Sequence, residues 1–258
     1  MILVISPAKT LDYDSELPVK KYSLPSFLDE SSSLIEVLKK KSVSDIKGLM
    51  KLSDKLAELN VDRYKEWTLP FDESNARQSL FAFKGDVYLG LDAYSFNEKD
   101  TDFAQKHLRI LSGLYGVLKP LDLMQPYRLE MGTKLKNKRG KNLYEFWDKR
   151  ISESLNNDFS AKKNNVLVNL ASNEYYSAVK EDALNAEVIT PQFLDFKNGK
   201  YKMISFFAKK ARGMMCSWVI KNRIDSPEEL VSFDVAGYKY CSERSSAMNP
   251  VFTREEQK

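Results

Sequence analysis

Seven cations stand out by type and setting: Lys9, Lys84, Arg109, Arg128, Lys209, Lys210 and Arg212, with Asp86 and Glu130 as the nearest candidate carboxylates. Guanidinium and ammonium groups hold phosphate through charge-assisted hydrogen bonds, whereas acid–base catalysis uses groups that titrate near neutrality. The set therefore suits phosphate binding more than proton transfer. Other chemistries find little support. One histidine (His107), two distant cysteines (Cys216 and Cys241) and no spaced carboxylate cluster give no metal-ligand set, so neither a metal nor a cofactor is expected. No serine elbow precedes a helix. Lys9-Thr10 follows a strand-like run as a P-loop lysine would, but the glycines that cradle phosphate are absent.

Arg109, Arg128 and Glu130 fall in the most unusual stretch of the chain, residues 109–132. It holds three of the ten glycines (Gly113, Gly116, Gly132) and two of the nine prolines (Pro120, Pro126) in a mainly apolar run. Such a run belongs in the core without being one helix, so its backbone needs partners from elsewhere. Charges there are paired, or else they line a site. Two readings stand: a glycine-kinked strand and turn with an internal Arg128–Glu130 pair, or an active site. Ser112–Gly116 is the place for close approach to a ligand or another strand.

The net charge of +4 is unevenly placed. Residues 1–100 hold 14 Lys/Arg against 17 Asp/Glu, net −3, which leaves +7 for the rest. Lys197 to Arg223 contains eight basic residues and no acid, and residues 134–141 form a second acid-free basic cluster. A polyanionic partner fits such a distribution. The apolar runs are too short to span a bilayer, no signal peptide is visible and the cysteines do not suggest a disulfide framework, so a cytoplasmic protein without a membrane partner is expected.

These residues need elements to position them. Residues 1–5 read as a buried strand with residues 6–10 as its exit loop, which sends Lys9 toward the binding edge of a sheet. Leu24–Lys41 reads as a helix, residues 61–80 as one or two more, and residues 81–91 as a strand broken near Gly85 and followed by a turn. Residues 98–108 and 142–158 are helical by spacing, and residues 165–170 form a buried strand running into a turn capped by Ser172 and Asn173. Residues 187–196 and 200–207 alternate as a hairpin about Asn198-Gly199. A helix follows, with Lys209, Arg212 and Cys216 on one side; residues 237–253 end the chain as edge strands. No repeat or linker interrupts residues 1–258, so one domain is expected, a mixed α/β fold around a mixed, partly antiparallel sheet.

Residues 44–60 predict two short helices joined by Lys51-Leu52-Ser53, the first capped by Ser44 and the second by Ser53 or Asp54. An apolar residue at the centre of such a turn matches a helix-hairpin-helix, whose amides and helix N-terminus bind nucleic-acid backbone. Lys47, Lys51 and Lys55 would surround the phosphate. That motif carries glycine on both sides of the apolar residue, where this chain has Lys51 and Ser53, so an ordinary helical hairpin is the alternative.

The segments ISPAKTLDY (5–13), SDKLAELN (53–60), AFKGDVYLGL (82–91), LSGLYGVLKPLDLMQPYRLEMG (111–132), NLASNEYY (169–176) and SFFAKKARG (205–213) resemble the peroxide stress protein YaaA family over nearly the full length. The resemblance implies a cytoplasmic bacterial protein of the oxidative stress response that limits damage by unincorporated iron. It also implies a mixed α/β fold with a basic cleft beside a helix-hairpin-helix, and DNA-binding activity, with the hairpin on Lys47 to Ala57. The expected partner is double-stranded or distorted DNA, read largely independently of sequence. Lys47, Lys51, Ser53, Lys55, Lys209, Lys210 and Arg212 are its expected contacts, and Lys9, Lys84, Asp86, Arg109, Arg128 and Glu130 the expected cleft. The alternative is an enzyme acting on a nucleotide or nucleic acid, with residues 109–132 as its active site.

Overall fold

Apolar residues at the very start of the chain become its central strand. Ile2–Ile5 is buried throughout and pairs in parallel with Leu108–Ser112 on one side and Val166–Leu170 on the other. Glu187–Ile189 extends the sheet in parallel, and Gly116–Leu118 closes the opposite edge antiparallel to Leu108–Ser112. The computed structural model describes residues 1–159 and 165–256. A second sheet runs Lys200–Lys202, Gln192–Lys197, Val251–Arg254, Lys239–Tyr240, again mixing parallel and antiparallel pairs. The fold is mixed α/β, as expected. One contiguous apolar core links residues from the first strand to Phe252.

Stretch 109–132 is core, and its irregular backbone finds partners from distant elements. The Trp147 indole donates to the Gly113 carbonyl at 3.0 Å, and Ser31 Oγ to that of Leu114 at 3.0 Å. Ser112 Oγ accepts from the Tyr115 amide at 2.9 Å and shares a 2.6 Å hydrogen bond with Tyr127 Oη. Gly113 lies so close to the next turn of the stretch that a Cβ there would stand 2.2 Å from the Leu129 carbonyl oxygen. The close approach expected near Ser112–Gly116 is therefore to another backbone segment.

Several boundaries differ from the periodic reading, each for a local reason. The helix expected over 24–41 spans Leu28–Leu38. The stretch 142–158 is two helices, Leu143–Trp147 and Arg150–Phe159, separated at Asp148 with φ 43°. That break lets Trp147 turn under Gly116 while Ile151 and Leu155 stay inward. Pro191 has no amide hydrogen, and there the strand expected over 187–196 divides, its halves joining different sheets. The following strand stops at Lys202, and Phe206 and Phe207 begin the helix Ser205–Asn222. Phe83–Lys84 is a two-residue strand, and the turn expected after it is the helix Asp86–Leu91. Residues 61–80 hold the end of the helix Asp54–Glu66, a short strand Arg77–Gln78 and the start of the helix Ser79–Ala82. Val251–Arg254, expected at an edge, lies inside the second sheet.

Candidate anion-binding cleft

Two parallel strands end side by side, and their exits are stitched together. Ser172 donates its amide to Ser6 Oγ at 2.9 Å, and the two hydroxyls lie 3.2 Å apart. In open parallel sheets the space beyond the carboxyl ends of the strands is where ligands bind. Here that space is a cavity of about 480 Å³, lined by residues 6–10, 84–88, Leu170, Ser172, Glu174, Tyr175, Lys209 and Arg212.

The cations arrive on three separate elements. Lys9 lies on the exit loop of the first strand. Thr10 pairs across a short antiparallel ladder with Lys84, which brings the second cation alongside. The third element is the helix Ser205–Asn222, which carries Lys209 and Arg212. This helix meets Asp86–Leu91 backbone to backbone. A Cβ on Gly90 would stand 2.0 Å from the Lys210 carbonyl oxygen, and one on Gly213 would stand 1.9 Å from that of Val87. Two glycines thus set the distance between the helices that carry Asp86 and Arg212, and Tyr88 ties the first of these to the exit of the first strand through a 3.2 Å hydrogen bond to the Ser6 carbonyl.

The charges around the cavity are differently committed. Lys9 Nζ lies 3.1 Å from Glu130 Oε1, the same oxygen that accepts from Arg128 Nη2 at 3.0 Å. These three residues line an adjoining recess with Tyr127 and Tyr175. Lys84 lies 3.5 Å from Asp12, whose carboxyl is lowered to about 2, chiefly by the Ser15 amide and hydroxyl. Lys209, Arg212 and Asp86 have no hydrogen-bond or ion-pair partner among the described residues. Burial alone pulls the Arg212 guanidinium below its ordinary value. A half-buried cation without a counter-charge is a standing demand for an anion.

Of the cleft residues inferred from sequence, Lys9, Lys84, Asp86, Arg128 and Glu130 come together, joined by Lys209 and Arg212. Arg109 does not join them. It is 4% exposed, with Nε and Nη2 each 2.6 Å from an Asp158 carboxylate oxygen and Nη1 on the Gln105 and Leu108 carbonyls. Lys210 is exposed outside the cavity lining, and Cys216, expected beside Lys209 and Arg212, is fully buried with its thiol pushed up by burial. His107 Nδ1 donates a hydrogen bond to the Met1 carbonyl at 2.9 Å, and the ring stacks on Phe103. Ser6, Ser172, Glu174 and Tyr175 were not singled out from sequence. Ser172 read as a helix cap, yet its hydroxyl makes no cap hydrogen bond and meets Ser6 instead. The usable signal is position, since Ser6 and Ser172 stand one and two residues beyond the ends of buried strands.

The helical hairpin forms over Val43–Met50 and Asp54–Glu66. Its first cap is Ser42, in a capping box with Asp45, and not Ser44 as expected. Ser53 caps the second helix through the Leu56 amide. Lys51 takes the left-handed conformation (φ 53°), Leu52 is buried, and Lys47 is committed to Asp54 at 2.7 Å. Lys51 and Lys55 are exposed. The second helix connects hairpin and cleft: ten residues beyond Ser53, or about 15 Å at 1.5 Å per residue, lie Arg63 and Tyr64, and the Tyr64 hydroxyl donates to the Arg128 carbonyl. Among the described residues no group of three or more His, Cys, Asp or Glu is placed to hold a metal ion, and no helix is long and apolar enough to cross a membrane.

Similarity to known proteins extends over the whole chain. A UPF0246 protein of Alcanivorax borkumensis is 57% identical over 257 residues, covering all of both chains. One from Alteromonas mediterranea is 55% identical over 257 residues, covering all of this chain and 99% of its own. The family model described as peroxide stress protein YaaA matches residues 1–244, and the chain belongs to that family.

Proposed function

We propose that this protein, whose family membership gives it a role in peroxide stress, acts there by binding nucleic-acid backbone. The cleft between Lys9, Lys84, Lys209 and Arg212 is the main contact, and the helical hairpin with Lys51 and Lys55 is a second. The observation that carries the reading is Arg212, half-buried at the cavity wall with no ion pair and no hydrogen bond among the described residues. Contacts of this kind recognise phosphate rather than sequence, so any restraint on iron-dependent damage is indirect, through occupancy of DNA. Neutralising about four phosphates gives a slope of log K against log salt near −4. Duplex binding measured at several salt concentrations, on unrelated sequences, should show that slope and little sequence preference. A salt-independent affinity, or tight binding to one sequence only, would defeat the proposal.

A second reading, an enzyme acting on a nucleotide or nucleic acid, is supported by the Asp86 carboxylate, which has no ion pair among the described residues and lies inside a concave site. It moves the chemistry from stretch 109–132 to the wall of the cavity; that stretch lines the adjoining recess, through Tyr127, Arg128, Leu129 and Glu130. Loss of intact nucleotide or DNA on incubation with the protein, abolished in Asp86→Asn, would select it.

A further inference from the structure

The cavity beyond Ser6 and Ser172 is the wrong shape for a duplex and the wrong charge for phosphate alone. At about 480 Å³ it falls within the range of pockets that enclose one small molecule, and a double helix cannot enter it. Its lining is divided. Lys84, Lys209 and Arg212 offer cationic donors, while Pro7, Ala8, Val87, Leu170 and Tyr175 give it apolar surface. Asp86 adds a half-buried carboxylate with no donor to satisfy it among the described residues. A lone phosphate would satisfy the cations and be repelled by Asp86. A nucleotide unit satisfies both: phosphate to the cations, the base against the apolar wall, and an exocyclic amine donating to the carboxylate, as carboxylates accept from cytosine N4.

We infer that the cavity receives a single nucleotide extruded from a bound duplex, with an amino-bearing base directed to Asp86. This rests on the DNA-binding reading above and adds to it. Extrusion costs unstacking and unpairing, and the cost is least at a mismatch. Duplexes with a mismatch should therefore bind more tightly than matched ones. Lys209 and Arg212 lie about one and two turns into the same helix, so a phosphate at the mouth and a base inside can be held together.

The test uses the full chain and a duplex carrying 2-aminopurine, a fluorescent base with an exocyclic amine that is quenched when stacked. Anisotropy of an end-labelled strand reports binding, and 2-aminopurine emission at saturating protein reports extrusion. A several-fold rise in emission is expected for the wild type, larger opposite a mismatch, and it should fall in Asp86→Asn measured at its own saturation. Asp86→Asn is nearly isosteric and breaks no contact among the described residues, and a thermal melt verifies that it folds. Binding without any rise in emission overturns the inference and leaves the DNA reading standing; absence of binding overturns both. An unchanged rise in Asp86→Asn also overturns it, since the base would then be received elsewhere. Free deoxycytidine monophosphate separates the remaining source: if it binds the cavity while the duplex shows no rise, the site serves free nucleotides and extrusion is wrong.

Discussion

Arg109 and Arg212 both belong to stretches that read as motifs, and the fold treats them in opposite ways. Arg109 is 4% exposed and spends all three guanidinium nitrogens, two on Asp158 and one on backbone carbonyls. Arg212 is half-buried at a cavity wall and spends none among the described residues. Burial costs both groups hydration, and only Arg109 is compensated inside the chain. A cation's setting in the sequence does not separate structure from function. The presence of a carboxylate at bidentate distance does.

Removing each charge is the strongest way to break this contrast. Arg109→Ala would strand a largely buried Asp158 and should cost about 3–5 kcal/mol of stability, read by chemical denaturation. The folded fraction should bind duplex as the wild type does. Arg212→Ala breaks no internal pair, so its stability should stay within about 0.5 kcal/mol of wild type. Its duplex affinity should fall about 10- to 100-fold, the worth of a charged hydrogen bond, with the salt slope smaller by about 1. If Arg212→Ala proved the less stable of the two and bound DNA normally, the assignment of roles would be reversed.

Gly213→Ala tests how Arg212 is held in place. A Cβ 1.9 Å from the Val87 carbonyl must drive the two helices apart, which should cost about 1–3 kcal/mol. Affinity should fall with it, because Asp86 and Arg212 are separated by the same movement. Gly48→Ala is the control, since nothing lies within 4 Å of a Cβ there. As a helix-interior glycine it should stabilise by about 0.5–1 kcal/mol and leave binding alone.

Asp122 extends the contrast to a buried acid. It has hydrogen bonds from Ser23 Oγ at 2.6 Å and the Lys119 amide at 2.8 Å but no ion pair among the described residues, and burial raises its carboxyl from 3.8 to about 6. The native state therefore holds this proton more tightly than the unfolded chain. Its contribution to stability should decline as pH rises between roughly 4 and 6, by on the order of 2–3 kcal/mol. Comparing the stability of wild type and Asp122→Asn across that window isolates the effect. A wild-type stability that rises no less steeply than the variant's would show that the hydrogen bonds outweigh burial.

What the sequence disclosed follows the reach of each signal. The strands Ile2–Ile5 and Val166–Leu170, the helix around Arg212 and the burial of stretch 109–132 were all legible, because apolar runs and periodicity report burial directly. The gathering of Lys9, Lys84 and Arg212 was legible only as a shared preference for phosphate; their meeting depends on non-local strand order and on the Gly90–Gly213 contact, which no local pattern encodes. Arg109 was misplaced for the same reason, since Asp158 lies 49 residues away and has no motif of its own. Ser6 and Ser172, separated by 166 residues, were invisible as a pair until two parallel strands brought their ends together.

The smallest expected effect concerns the hairpin, where backbone conformation and charge can be separated at one residue. Lys51 holds φ 53°, a conformation that costs a side chain about 1–2 kcal/mol and a glycine nothing. Lys51→Gly removes that strain, offset by the greater entropy of glycine in the unfolded chain, so stability should rise by about 1 kcal/mol or less. The substitution also restores glycine at a position where nucleic-acid-binding hairpins carry it, while deleting one positive charge. If the turn binds phosphate through its amides, affinity should change little and the slope of log K against log salt should be nearly kept. If Lys51 itself meets a phosphate, the slope should shrink by about 0.9. Lys47 is already committed to Asp54, so Lys55 is the remaining exposed cation of the three. Lys51→Gly combined with Lys55→Ala therefore removes the uncommitted charge while keeping the fold. An affinity equal to wild type in that double variant, at several salt concentrations, would take the Lys51 and Lys55 charges out of the interface and leave the hairpin only its amides.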